Sequence, residues 1–149
     1  MDKKIKPIRK ISYKSGTDFK YENTKVSVFP MTLTKEQIFY PLLTEITTLT
    51  GYDLTDMRKA STRSETNVRD VFIYLLNRYT KLPPGTFAED FNMSKDAAYL
   101  AVHRTRKVLD RYGISNLIKA GEVVYLSECI KIKKMEIKEL NKRISQIKK

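Results

Sequence analysis

A mainly α-helical domain containing a helix-turn-helix is the fold class this sequence predicts, preceded by an irregular or short-strand basic arm and followed by a long C-terminal helix. Three observations predict it. Apolar residues recur three and four apart between Thr34 and Lys81. Pro83-Pro84-Gly85 then stops the chain, and a short segment, a tight corner and a basic amphipathic run to Leu109 follow. Beyond that, Ile130, Ile137 and Ile144 are seven apart, as are Leu140 and Ile147. The expected organisation is a basic arm over 1–33, a helical domain over 34–113, a connector over 114–126 and a basic amphipathic helix over 127–149.

Residues 1–33 are lysine-rich and broken by Pro7, Ser15-Gly16 and Pro30. Ile11-Ser12-Tyr13 and Val26-Ser27-Val28-Phe29 alternate as strands around the Ser-Gly turn would. The same composition suits an extended arm that orders on a partner, and the two stand as alternatives.

Thr34 is a good N-cap, with Gln37 at capping-box distance, for a helix to about Thr50. Ile38, Leu42, Ile46 and Leu49 mark its apolar face, Gly51 its end, and Pro41 is expected to bend it. A short helix follows Asp53, from Leu54 to Arg58, and Ala60 to Thr66 read as a polar linker. A strong helix over Asn67–Lys81 presents Val68, Phe72, Leu75, Leu76 and Tyr79 on one face.

Thr86–Phe91 reads as the first helix of the helix-turn-helix and Asn92-Met93-Ser94 as its turn, with the Ser94 hydroxyl capping the second helix. At 100° per residue, Ala98, Ala101, Val102, Thr105, Val108, Leu109 and Tyr112 fall on one, core-like side. The other side carries Asp96, Tyr99, Leu100, His103 and Lys107, flanked by Arg104 and Arg111. Leu100 is apolar in the middle of that face. It suits a thymine methyl or a protein segment, and the sequence leaves both open. After Gly113, Glu122–Leu126 is a candidate short strand, and Ser127 caps the last helix. Lys133 interrupts that helix's apolar seam, so folding back on the domain and dimerisation stand level.

Charge sharpens the functional reading. The net charge is +12. Residues 1–33 hold eight Lys/Arg against three acids, and 127–149 also hold eight against three. Residues 34–90 hold seven against eight, and 91–126 six against three. The excess therefore sits at the second helix and both ends, a distribution that favours nucleic acid through counterion release. Ribosomes, acidic partners and anionic lipid are the bland alternatives.

One cysteine, Cys129, rules out an internal disulfide framework, and one histidine beside it argues against a zinc site. No apolar run reaches membrane-span length and the N-terminus lacks a signal-peptide pattern, so a cytoplasmic location is expected, on the nucleoid or in the host of a phage. His103 is the sole candidate general base, and the sequence places neither carboxylate nor nucleophile beside it. No enzyme, metal or cofactor is expected. The expected role is binding. Arg104, Arg106, Lys107 and Arg111 would anchor phosphates, while Asp96, Tyr99 and His103 reach base edges. The expected partners are double-stranded DNA and a protein or second copy through the C-terminal helix, with no membrane.

Residues 46–109 resemble the DNA-binding C-terminal domain of the DnaA replication initiator, related in shape to the Trp repressor. The parts that carry the likeness are Ile46–Gly51, Leu54–Arg58, Arg63, Arg69 with Tyr74-Leu75, and Phe87-Ala88 with Phe91. The resemblance implies that Arg63 and Arg69 approach the minor groove and backbone; Ser94 and Lys95, at the start of the second helix, complete the candidate DNA-binding residues. Lys95-Asp96-Ala97-Ala98 stands where the family carries Asp-His-Ser/Thr-Thr, so the implied scaffold is shared and the recognised site is not. Phe87-Ala88-Glu89, Met93-Ser94 and His103–Leu109 also resemble region four of sigma factors; nothing corresponds to region two. No Walker-type loop occurs, which excludes an initiator ATPase from this chain. Replication initiation or transcriptional regulation is the implied role, with an adaptor or assembly protein that grips RNA polymerase, a replication protein or a virion component as the alternative.

Overall fold

Three reciprocal capping boxes set the first half of the fold. The computed structural model describes residues 30–149; the chain divides after Met31, and Thr32–Lys149 forms one unit. Helix α1 (Lys35–Thr50) starts where Gln37 N donates to Thr34 Oγ1 at 3.2 Å and Thr34 N to Gln37 Oε1 at 2.9 Å. Asp53 and Asp56 open α2 (Leu54–Lys59) in the same way, and Thr62 and Glu65 open α3 (Arg63–Thr80). Each box satisfies two backbone donors that a helix start otherwise leaves unpaired. Gly51, at φ 80°, ends α1 in a left-handed conformation that costs glycine little.

Helix α3 is the centre of the molecule. Residues 71–76 are buried without a break, and α1, α2 and the two later helices pack around it. Phe72 of α3 meets Phe39 of α1 at 5.3 Å between ring centroids and Phe91 at 5.4 Å, a tilted and an edge-on contact. Tyr79 of α3 stacks on Tyr125 of the last helix at 4.3 Å, with the rings 9° from parallel. Such pairs contribute roughly 0.5–1.5 kcal/mol each beyond the area they bury. Leu33 is buried too, and its N–H donates to the carbonyl of Tyr79 at 3.0 Å, so the body begins just ahead of α1.

After α3 come two 3-10 turns, Pro84–Phe87 and Glu89–Phe91, then α4 (Lys95–Arg106), a turn over 107–111, and α5 (Tyr112–Lys148). No strand occurs among the described residues.

Several sequence expectations change. The stretch expected as a linker at Ala60–Thr66 is mostly helix, because the Thr62–Glu65 capping box starts α3 at Arg63. The apolar face expected on that helix is nearly a full circumference, as a central helix requires. The first helix of the helix-turn-helix is a pair of 3-10 turns; Asn92, at φ 53°, turns the chain left-handed before an α-helix can propagate. Helix α1 runs unbroken through Pro41, and Leu49, expected inside, is exposed. Helix α4 stops at Arg106, which leaves Val108 and Leu109 half-buried and Tyr112 in solvent.

The largest change is at the C-terminal end. The connector over 114–126 with its candidate strand, and the separate helix over 127–149, are one continuous α5. Packing overrides the β-propensity of Val123-Val124 here. Gly121 does not break the helix; it lets α5 lie against α3, since a Cβ there would stand 2.8 Å from Leu75 Cδ1. Leu117, Gly121, Tyr125 and Cys129 form the docked face, and beyond Ile132 the helix is exposed on every side. The strands expected in 1–29 lie outside the described residues.

Candidate functional site

Helix α4 owes its position to small side chains beneath it and to a braced corner before it. Ala98, Ala101, Val102 and Thr105 are buried, four of the seven residues expected on the core side. Alanines at the contact let α4 lie close to α3. The Thr105 hydroxyl donates back to the Ala101 carbonyl at 2.9 Å, so its polar atom is satisfied inside. Ser94 Oγ accepts from Ala97 N at 3.1 Å and fixes the first turn.

The corner itself is pinned by charge. Lys35 of α1 pairs with Asp90 at 2.8 Å, and Arg58 Nε of α2 donates to the Asp90 carbonyl at 2.8 Å. Gly85 allows the close approach of Lys95, whose Cβ and Cγ would stand 3.2 Å from a Cβ at that position. Lys35, Arg58 and Gly85 thus set the entry angle of α4, although nothing in the sequence marks them as partners of the corner.

The exposed side of α4 gathers Lys95, Asp96, Tyr99, Leu100, His103, Arg104 and Arg106, with Lys107 at its C-cap. Tyr99 and Leu100 are 52% and 53% exposed, large apolar surface on a helix otherwise dressed in charge. Arg111, exposed, is the N-cap residue of α5 just past the turn, and Arg63 is exposed in the first turn of α3.

Two expected site residues, Arg69 and Arg104, meet at one buried acid that no motif in the sequence marks. Asp70 of α3 is 4% exposed. Its Oδ1 accepts from Arg69 Nε at 3.3 Å and Nη2 at 3.1 Å. Its Oδ2 accepts from Arg104 Nε at 3.1 Å and Nη2 at 3.0 Å. Arg69 is mostly covered, whereas the Arg104 side chain is half exposed. One buried carboxylate therefore joins α3 to α4 and carries two guanidinium groups, leaving a local charge of about +1 that only Arg104 presents to solvent. The available signal is an acid beside Arg69 at the head of the apolar run Val71–Leu76.

No cluster of three or more His, Cys, Asp or Glu side chains able to hold a metal occurs among the described residues, and no described helix is long and apolar enough to cross a membrane. Comparison with protein-family models, with curated proteins and with solved structures finds no match.

Proposed function

We propose that this chain binds double-stranded DNA by laying the exposed side of α4 in the major groove, as a replication-initiation or transcription-regulating protein of a bacterium, phage or mobile element. One observation carries the proposal: a capped helix whose inner face is alanine, valine and threonine presents four cations outward, Lys95, Arg104, Arg106 and Lys107, with His103 among them. In this reading Arg106, Lys107 and Arg111 take phosphates. Asp96, Tyr99 and His103 reach base edges, and Arg104 meets the backbone while anchored on Asp70. Arg63 lies on α3 and would contact flanking DNA, in keeping with the DnaA-like element order of helix, glycine, short helix, long helix and corner. Selection of bound sequences from random duplexes tests the proposal, and recovery of no motif opposes it.

A second reading draws on Tyr99 and Leu100. Half-exposed apolar side chains at the centre of the face suit a protein partner, which would make the chain an adaptor or assembly protein. A complex that survives nuclease digestion and is lost on Leu100→Asp would favour it.

A further inference from the structure

Helix α5 carries a heptad seam that the shape of the fold leaves uncovered. With Val123 at position a, Ile130, Ile137 and Ile144 follow at a, and Leu126, Leu140 and Ile147 fall at d; all seven are exposed. The structure lengthens the apolar repeat to three and a half heptads by making 114–126 helical. Leu117, Gly121, Tyr125 and Cys129, which dock on the body, lie on the other side of the helix, so the body does not block the seam. Past Ile132 the helix projects for about 24 Å at 1.5 Å per residue with no tertiary cover. A helical segment of that length is marginal in water without a packing partner.

We infer that a second copy of this chain covers the seam from Ile130 to Ile147, in an antiparallel two-helix coiled coil that sets Ile137 opposite Leu140 of the second copy. Charge selects the occupant and its direction. Of the charged residues past Ser127, Lys131, Lys138, Glu139 and Lys142 fall at outward positions, where their charge stays solvated on pairing, while Glu128 faces the body and pairs with Lys131 at 3.0 Å. Glu136 and Arg143 both fall at g, and reversing the direction of one helix brings g against g, so each Glu136 lies beside an Arg143. Lys133, the one break in the seam, then lies opposite Ile144 and lets its charged end reach water along the helix. The parallel arrangement would instead set Lys133 against Lys133 and Arg143 beside Lys148. Like-charge pairing of that kind is how coiled coils reject a wrong partner or direction.

Sedimentation equilibrium of the whole chain without DNA tests the association, and cysteine pairs test the direction. The expected mass is that of two chains, falling to one for the double variant Ile137→Asp/Ile144→Asp. Its body, which these exposed residues do not touch, keeps its melting transition. Mixed Lys133→Cys and Ile144→Cys chains should form the heterodisulfide, and neither alone should link to itself. A wild-type monomer at high micromolar concentration overturns the proposal. So does a dimer that survives the double variant, or self-linking of Ile144→Cys, which reports a parallel pair. Since no DNA is present, failure here leaves the DNA-binding reading untouched.

Discussion

Arg104 closes on Asp70 with two donors, Nε and Nη2, that converge on Oδ2 at 3.1 and 3.0 Å, so that the helix proposed to read DNA is bolted to the central helix through one of its own cations. The same arginine is then a structural residue and a candidate phosphate contact. Substituting it perturbs both roles at once.

Asp70→Ala should be the more damaging change at this pair. It leaves Arg69, mostly covered, without its partner and frees Arg104. Breaking a buried ion pair costs about 3–5 kcal/mol. Because Arg104 is half exposed and can be solvated, the expected loss is lower, about 2–3 kcal/mol. Arg104→Ala should cost less, about 1 kcal/mol, because Asp70 keeps Arg69. Urea unfolding of both variants checks the order, and equal losses would contradict it.

Ser94→Ala should lower stability by about 1 kcal/mol through loss of the cap on Ala97 N. Amide exchange should rise in the first turn of α4 ahead of global unfolding. If exchange rises uniformly, the hydroxyl is not what holds that turn.

Gly121→Ala sets two effects against each other. Alanine favours a helix by about 1 kcal/mol over glycine. Its Cβ, however, would fall 2.8 Å from Leu75 Cδ1 and 3.0 Å from Cδ2, and Leu75 is fully buried, so its side chain must shift within the core. Overpacking of this kind costs about 1–3 kcal/mol. Net destabilisation is expected, and Leu75→Val in the same chain should recover part of it, a coupling that a double-mutant cycle measures.

The direction of the α5 pair bears on the DNA site. In the antiparallel register the two α4 helices stand at opposite ends, on the order of 80 Å apart at 1.5 Å per residue. Selection should therefore return a single asymmetric site, not a palindrome with half-sites one helical turn apart. A palindrome of that spacing would argue for a parallel pair.

Much of the fold was legible because it is written in local chemistry. Thr34 with Gln37, Gly51, Asp53 and Ser94 announce their caps, and the buried set Ala98, Ala101, Val102 and Thr105 follows from helical spacing. What stayed hidden depends on distant neighbours. Val123-Val124 look like a strand until Gly121 is seen against Leu75, and Thr86–Phe91 look like an α-helix until Asn92 turns left-handed. At the candidate site the outward cations could be read from spacing. Their anchor, Asp70, could not, since its partner Arg104 lies 34 positions away on another helix.

The salt dependence of DNA binding is the sharpest test of whether α4 reads DNA, and the Asp70 pair dictates which residues to change. Lys95, Arg106 and Lys107 make no ion pair among the described residues, so the triple change to Gln removes charge without loosening α4. If α4 meets the phosphate backbone, the slope of log affinity against log salt should shrink by about 2, roughly one each for the proposed phosphate contacts Arg106 and Lys107. An unchanged slope and affinity in a triple variant that still folds would contradict the proposal that α4 binds DNA.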